Sequence, residues 1–127
     1  MTPGPESDSR RRRVLVVDDE AAVVSVVARL LERMGHAVAG ASTAEQALEF
    51  LKTESFDVIL LDIELPGMTG FQALERFAEV SKASVVLISG YADEEFRKDA
   101  LLLGTKGLIG KPFGAVELKA CLSSLPF

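Results

Sequence analysis

Three aspartates, a serine and a lysine stand where short apolar runs end. Val14–Val17 runs into Asp18 and Asp19, Val58–Leu61 into Asp62, and Ser84–Ile88 into Ser89. A fourth run, Gly107–Ile109, is followed at once by Gly110, Lys111 and Pro112. If these runs are parallel strands of one sheet, the five side chains share a rim. Carboxylates crowded together repel one another and favour a hard divalent cation, and Mg²⁺ suits oxygen ligands that leave room for water. An ammonium opposite that metal, with a hydroxyl beside it, is equipment for holding a phosphoryl group. Asp62 is the natural nucleophile, because a carboxylate can form an acyl phosphate. Each residue alone reads as a helix cap or a loop charge; the joint placement at strand ends is what points to a site.

The segments between the runs carry helical periods. From Glu20 to Met34, residues Val23, Val27, Leu30, Leu31 and Met34 form one stripe, and Gly35 follows as a stop. Ala37–Ala41 reads as a second, weaker strand. Ser42 or Thr43 caps a helix to about Lys52, with Ala44, Ala47, Leu48 and Leu51 on one face. Pro66 and Gly67 mark a turn before a helix from about Gly70 to Val80, and a fourth helix runs from about Asp93 to Leu103 and stops at Gly104. The last begins near Gly114 and ends before Pro126. Five strands alternating with five helices predict an α/β fold, a doubly wound parallel sheet in the order 2-1-3-4-5 with helices on both faces.

The chain has 127 residues, enough for one domain with its own core. Residues 1–12 are expected to be a disordered tail and residues 13–127 the folded domain; the tail is rich in Pro, Gly and Ser and ends in basic residues. Residues 1–13 hold four arginines against two acids, which leaves ten basic and seventeen acidic side chains for the rest. Such an acidic domain repels phosphate backbones, so nucleic acid is not an expected partner. One cysteine, Cys121, excludes an internal disulfide and a cysteine zinc cluster. No apolar run approaches the roughly 18 residues of a membrane span, and none reads as a signal-peptide core, so a cytoplasmic location is expected. His36 and Cys121 read as structural, and the phenylalanines as core or cap residues. Gly104 to Lys111 lacks the spacing of a nucleotide phosphate loop.

The stretches VLVVDDE (Val14–Glu20), VILLDIELPGMTG (Val58–Gly70), VVLISGYAD (Val85–Asp93) and KGLIGKPF (Lys106–Phe113) resemble, in order and spacing, the receiver domain of two-component response regulators. The likeness runs from about Arg13 to Leu125. It implies a phosphorylation-dependent switch, not an enzyme acting on a separate substrate, in which Asp62 accepts phosphate from a sensor histidine kinase or a histidine phosphotransfer protein. It also implies that Asp19, Asp62 and the main-chain carbonyl of Glu64 bind Mg²⁺, that Asp18 holds a metal-bound water, and that Ser89 and Lys111 contact the phosphoryl oxygens. The Lys111–Pro112 peptide is cis in that family. Two departures stand out. The family often has Tyr or Phe as a switch side chain three residues before the lysine, where this chain has Leu108. Glu64 and Tyr91, two residues after Asp62 and Ser89, occupy positions that tune phosphate lifetime.

Two rival readings are a receiver-like binding module without phosphotransfer and a phosphatase of the haloacid dehalogenase type. The complete set Asp18, Asp19, Asp62, Ser89 and Lys111 argues against the first. The second needs an aspartate two residues after its nucleophile, where Glu64 stands here. The chain ending at Phe127 fits a stand-alone receiver or a fragment cut before an output domain, and the initiating Met favours a native start. Helical phase, with Phe96, Ala100 and Leu103 inward, places Leu101 and Leu102 outward. With Leu108 they are expected to form an apolar cluster on the face of helix four, strand five and helix five, for a downstream protein or a second copy of the chain.

Overall fold

A computed structural model describes residues 11–90 and 94–125, apart from the side chains of Glu94 and Phe96. Most of the expected tail, and Tyr91, lie outside the described residues. The elements alternate as β1 (Arg13–Val17), α1 (Ala21–Arg33), β2 (Ala37–Ala41), α2 (Ala44–Thr53), β3 (Val58–Asp62), α3 (Gly70–Val80), β4 (Ser84–Ser89), α4 (Glu94–Leu102), β5 (Gly107–Gly110) and α5 (Ala115–Ser123). All pairings are parallel and the sheet order is β2-β1-β3-β4-β5, the doubly wound arrangement expected.

The continuous apolar runs follow from having helices on both sheet faces. In β1, Leu15 and Val17 join one core cluster while Val14 and Val16 join the other. The first cluster takes Ala47, Leu48 and Leu51 from α2, Ala73 and Phe77 from α3, and Ala100 from α4. The second takes Val27 and Leu31 from α1 and Leu118 and Leu122 from α5. Helix starts are written locally. Thr43 caps α2 by accepting from Gln46 N at 3.0 Å. Thr69 and Gln72 form a reciprocal capping box on α3, with bonds of 3.1 and 2.9 Å.

Register carries the chemistry-bearing residues to one end. Val17 lies beside Leu61, Asp62 beside Ile88, and Ser89 beside Gly110. The loop after β3 returns tightly, with Gly70 N donating to Ile63 O at 3.1 Å. A Cβ on Gly70 would sit 2.5 Å from the Ile63 Cα, which backbone cannot yield cheaply. Gly70→Ala should therefore lose about 1–3 kcal/mol in urea denaturation, the usual scale of overpacking. Gly90→Ala, where nothing lies within 4 Å, is the control and should stay within about 0.5 kcal/mol.

Candidate functional site

β1 ends in a buried acid because the backbone there is already bonded. Asp18 N donates to Ala41 O at 3.1 Å, and Asp18 Oδ1 accepts from Glu20 N at 2.9 Å, turning the chain toward α1. Asp62 repeats the device at the end of β3, its Oδ1 accepting from Glu64 N at 2.9 Å. One oxygen of each carboxylate is thus spent on its own turn, and the other is free to face the rim. Asp18 is fully buried and Asp62 nearly so, while Asp19 is exposed. Oxygens of the three carboxylates lie within 4.8 Å of one another.

Lys111 reaches this cluster from beyond β5. Its backbone N donates to Ser89 O at 2.8 Å, and the Lys111–Pro112 peptide is cis. Its Nζ donates to Asp62 Oδ2 at 3.1 Å, lies 3.2 Å from Asp18 Oδ2, and stands 3.9 Å from Glu20 Oε1. Ser89 is fully buried at the end of β4.

The electrostatics follow from burial. Loss of water raises the Asp18 pKa, the Glu20 amide opposes this, Asp62 adds to it and Lys111 opposes it; the net direction is upward. For Lys111 burial pulls downward, but the bond to Asp62 and the nearby Asp18 carboxylate outweigh it, so the ammonium is held more firmly than usual. Asp18 Oδ2 is buried and has no aligned hydrogen bond, only the charge of Lys111 nearby. An orphaned buried oxygen, two further carboxylates within reach and an exposed Asp19 as the entry fit a hard, oxygen-seeking divalent cation.

Comparison with known proteins agrees with this geometry. Residues 14–123 match the response regulator receiver domain. The chain belongs to this family. The alkaline phosphatase synthesis transcriptional regulatory protein PhoP of Bacillus subtilis is 35% identical over 115 residues, covering 90% of this chain and 48% of that protein. The receiver domain here spans about half the length of several such curated relatives. Among solved structures, the chemotaxis protein CheY4 of Vibrio cholerae superposes with a TM-score of 0.81 at 26% identity, covering 89% of this chain and 97% of that one. A response regulator of Burkholderia pseudomallei with a phosphorylated aspartic acid, a calcium ion and citrate gives a TM-score of 0.79 at 28% identity, over 87% of this receiver domain and 66% of that chain.

The structure brings Asp18, Asp19, Asp62 and Lys111 together, with Ser89 and the exposed Glu64 on the same rim. It corrects the expected apolar surface cluster. Leu101 and Leu102 are exposed, at 54% and 85%, but Leu108 is buried in the core between the sheet and the α2–α3–α4 layer. Leu103, expected inward, is 53% exposed. α4 ends at Leu102, so helical phase does not carry through to Leu103. Two contacts had little signal in the sequence. Glu20 approaches Lys111, and only its place after two aspartates hinted at this. Arg97 Nη1 donates to Leu108 O at 3.2 Å, tying α4 to β5.

Asp18→Asn should stabilise the metal-free protein by about 1 kcal/mol, since it removes a charge that burial and Asp62 disfavour. The sign with pH follows from the raised folded-state pKa. The Asp18 penalty is absent below the usual carboxylate range and develops as pH rises through the elevated value. Urea midpoints of variant and wild type should converge in acid and separate toward neutrality. A variant less stable than wild type at neutral pH would contradict this electrostatic account.

Proposed function

We propose that this receiver domain is a phosphorylation-dependent signalling switch that accepts a phosphoryl group on Asp62. The observation that carries this is the meeting of Asp18, Asp19 and Asp62 within 4.8 Å, with the Lys111 ammonium 3.1 Å from Asp62 and 3.2 Å from Asp18. The related response regulator from Burkholderia pseudomallei, solved with a phosphorylated aspartic acid, a calcium ion and citrate, supports it. The donor is a phosphohistidine of a sensor kinase or phosphotransfer protein. A carboxylate oxygen of Asp62 bonds to phosphorus as the phosphorus–nitrogen bond breaks. The imidazole nitrogen leaves with the electron pair and takes a proton from solvent.

Asp19, Asp62 and the Glu64 carbonyl would hold Mg²⁺, with Asp18 bonding a metal-bound water. When bound, the cation offsets the negative charge of acid and phosphoryl group. Lys111 exchanges its contact with Asp62 Oδ2 for a phosphoryl oxygen, and the Ser89 hydroxyl takes another. Pulling on Ser89 moves the loop after β4, and with it the start of α4. Because Leu108 is a buried aliphatic bonded through its carbonyl to Arg97, output rests on displacement of that loop and α4 rather than on an aromatic rotation. Exposed Glu64 tunes phosphate lifetime at the mouth of the site, and Tyr91 is assigned the same role by its place in the sequence.

Incubation with acetyl phosphate and Mg²⁺ should add one phosphoryl mass to the wild type and none to Asp62→Asn. Phosphate gained by the variant would sink the assignment of Asp62. Millimolar Mg²⁺ should raise the melting temperature, because the folded state alone gathers the three acids. Asp19→Ala should remove most of that rise. Identical melting curves in Mg²⁺ and in chelator would rule out a cation site at these acids.

A further inference from the structure

At the end of the sheet away from Asp62, a groove of about 470 Å³ opens between α3 and the turn after α4. Its floor is closed by the buried side chains of Ile59, Val85 and Leu74, and its exposed apolar walls are Phe71 of α3 and Leu103 after α4. The volume is on the scale of sites that take a small ligand or a few side chains. The apolar surface does not stop at the groove. Leu101, Leu102 and Leu103 are three consecutive exposed leucines on its α4 side, at 54%, 85% and 53%. Three exposed leucines at one helix end, one of them lining the groove, favour contact with a macromolecule over enclosure of a small molecule.

Charge narrows the partner. Lys82 and Lys106 also line the groove and are exposed. Among the described residues neither forms an ion pair. Two ammonium groups against one carboxylate, Glu75, give the groove lining a positive balance in a chain of net charge −5. Glu75 lines the α3 side, so a docked segment would keep its acids away from α3 and toward the lysines. We infer that this groove docks a segment of a partner protein that carries apolar anchors flanked by acidic side chains. The anchors pack against the exposed Phe71 and Leu103, and the carboxylates pair with Lys82 and Lys106. The site is independent of phosphate chemistry at Asp62, which lies at the other end of the strands.

A fluorescently labelled amphipathic peptide, with leucines at helical spacing and glutamates beside them, tests this by anisotropy with the full chain. Its counterpart with lysine in place of glutamate is the charge control. Wild type should bind the acidic peptide at least about tenfold tighter than the basic one. Lys82→Glu with Lys106→Glu should reverse that order, and Leu103→Ser should weaken the acidic peptide about tenfold. Asp62→Asn should bind as wild type does, which separates failure at the groove from failure at the phosphorylation site. Circular dichroism matching wild type shows that the variants are folded. Absence of binding, indifference to peptide charge, or an unchanged order in the lysine double variant overturns the inference. So does concentration-dependent self-association that Leu103→Ser abolishes, which would assign the groove to a second copy.

Discussion

The ammonium of Lys111 lies between two buried carboxylates that reach it from different strands. Neither Asp18 nor Asp62 is well placed without it, because each would leave a charged oxygen away from water beside a like charge. Removing the lone cation would leave two like charges buried side by side, far more damaging than the net worth of the set suggests. The register of β1, β3 and β5, the turns that bond one oxygen of each acid, and the placement of Lys111 beyond β5 all serve that juxtaposition. Strand ends are suited to the task. Their backbone groups are held by neighbouring strands, so side chains just beyond them are positioned without having to pack.

Much of this was legible before any coordinates. Continuous apolar runs of four or five residues announced strands covered on both faces, and the acids at their ends shared a rim once the strands were parallel. The stops at Gly35 and Gly104 were readable because both adopt positive φ, which glycine accepts at little cost. Thr43 and the Thr69–Gln72 pair announced helix starts because a cap depends on neighbours in sequence. Contacts such as Arg97 to Leu108 O join residues whose local surroundings say nothing about each other.

The two misplaced leucines have different causes, a helical period extended past its helix for Leu103 and an edge-strand position taken as exposed for Leu108. Leu103 follows the last helical residue, and the chain there turns toward Gly104, so rotation per residue no longer applies. Leu108 sits on an edge strand, where one flank lacks a neighbouring strand but both faces remain covered. It faces the α2–α3–α4 layer while Ile109 faces the α1–α5 layer, so an edge position does not expose its side chain.

Helix α4 therefore has an unusual balance of contacts. Of its described side chains only Ala100 is buried. Thr105 reaches back to Ala100 O at 2.7 Å, and Arg97 holds the Leu108 carbonyl, so polar bonds at its rear carry much of its attachment. Elements with few buried apolar contacts open or shift at low free-energy cost. Leu103, one residue past the end of α4, forms one side of the groove. A rigid helix so lightly seated transmits a displacement along its length instead of absorbing it in side-chain repacking.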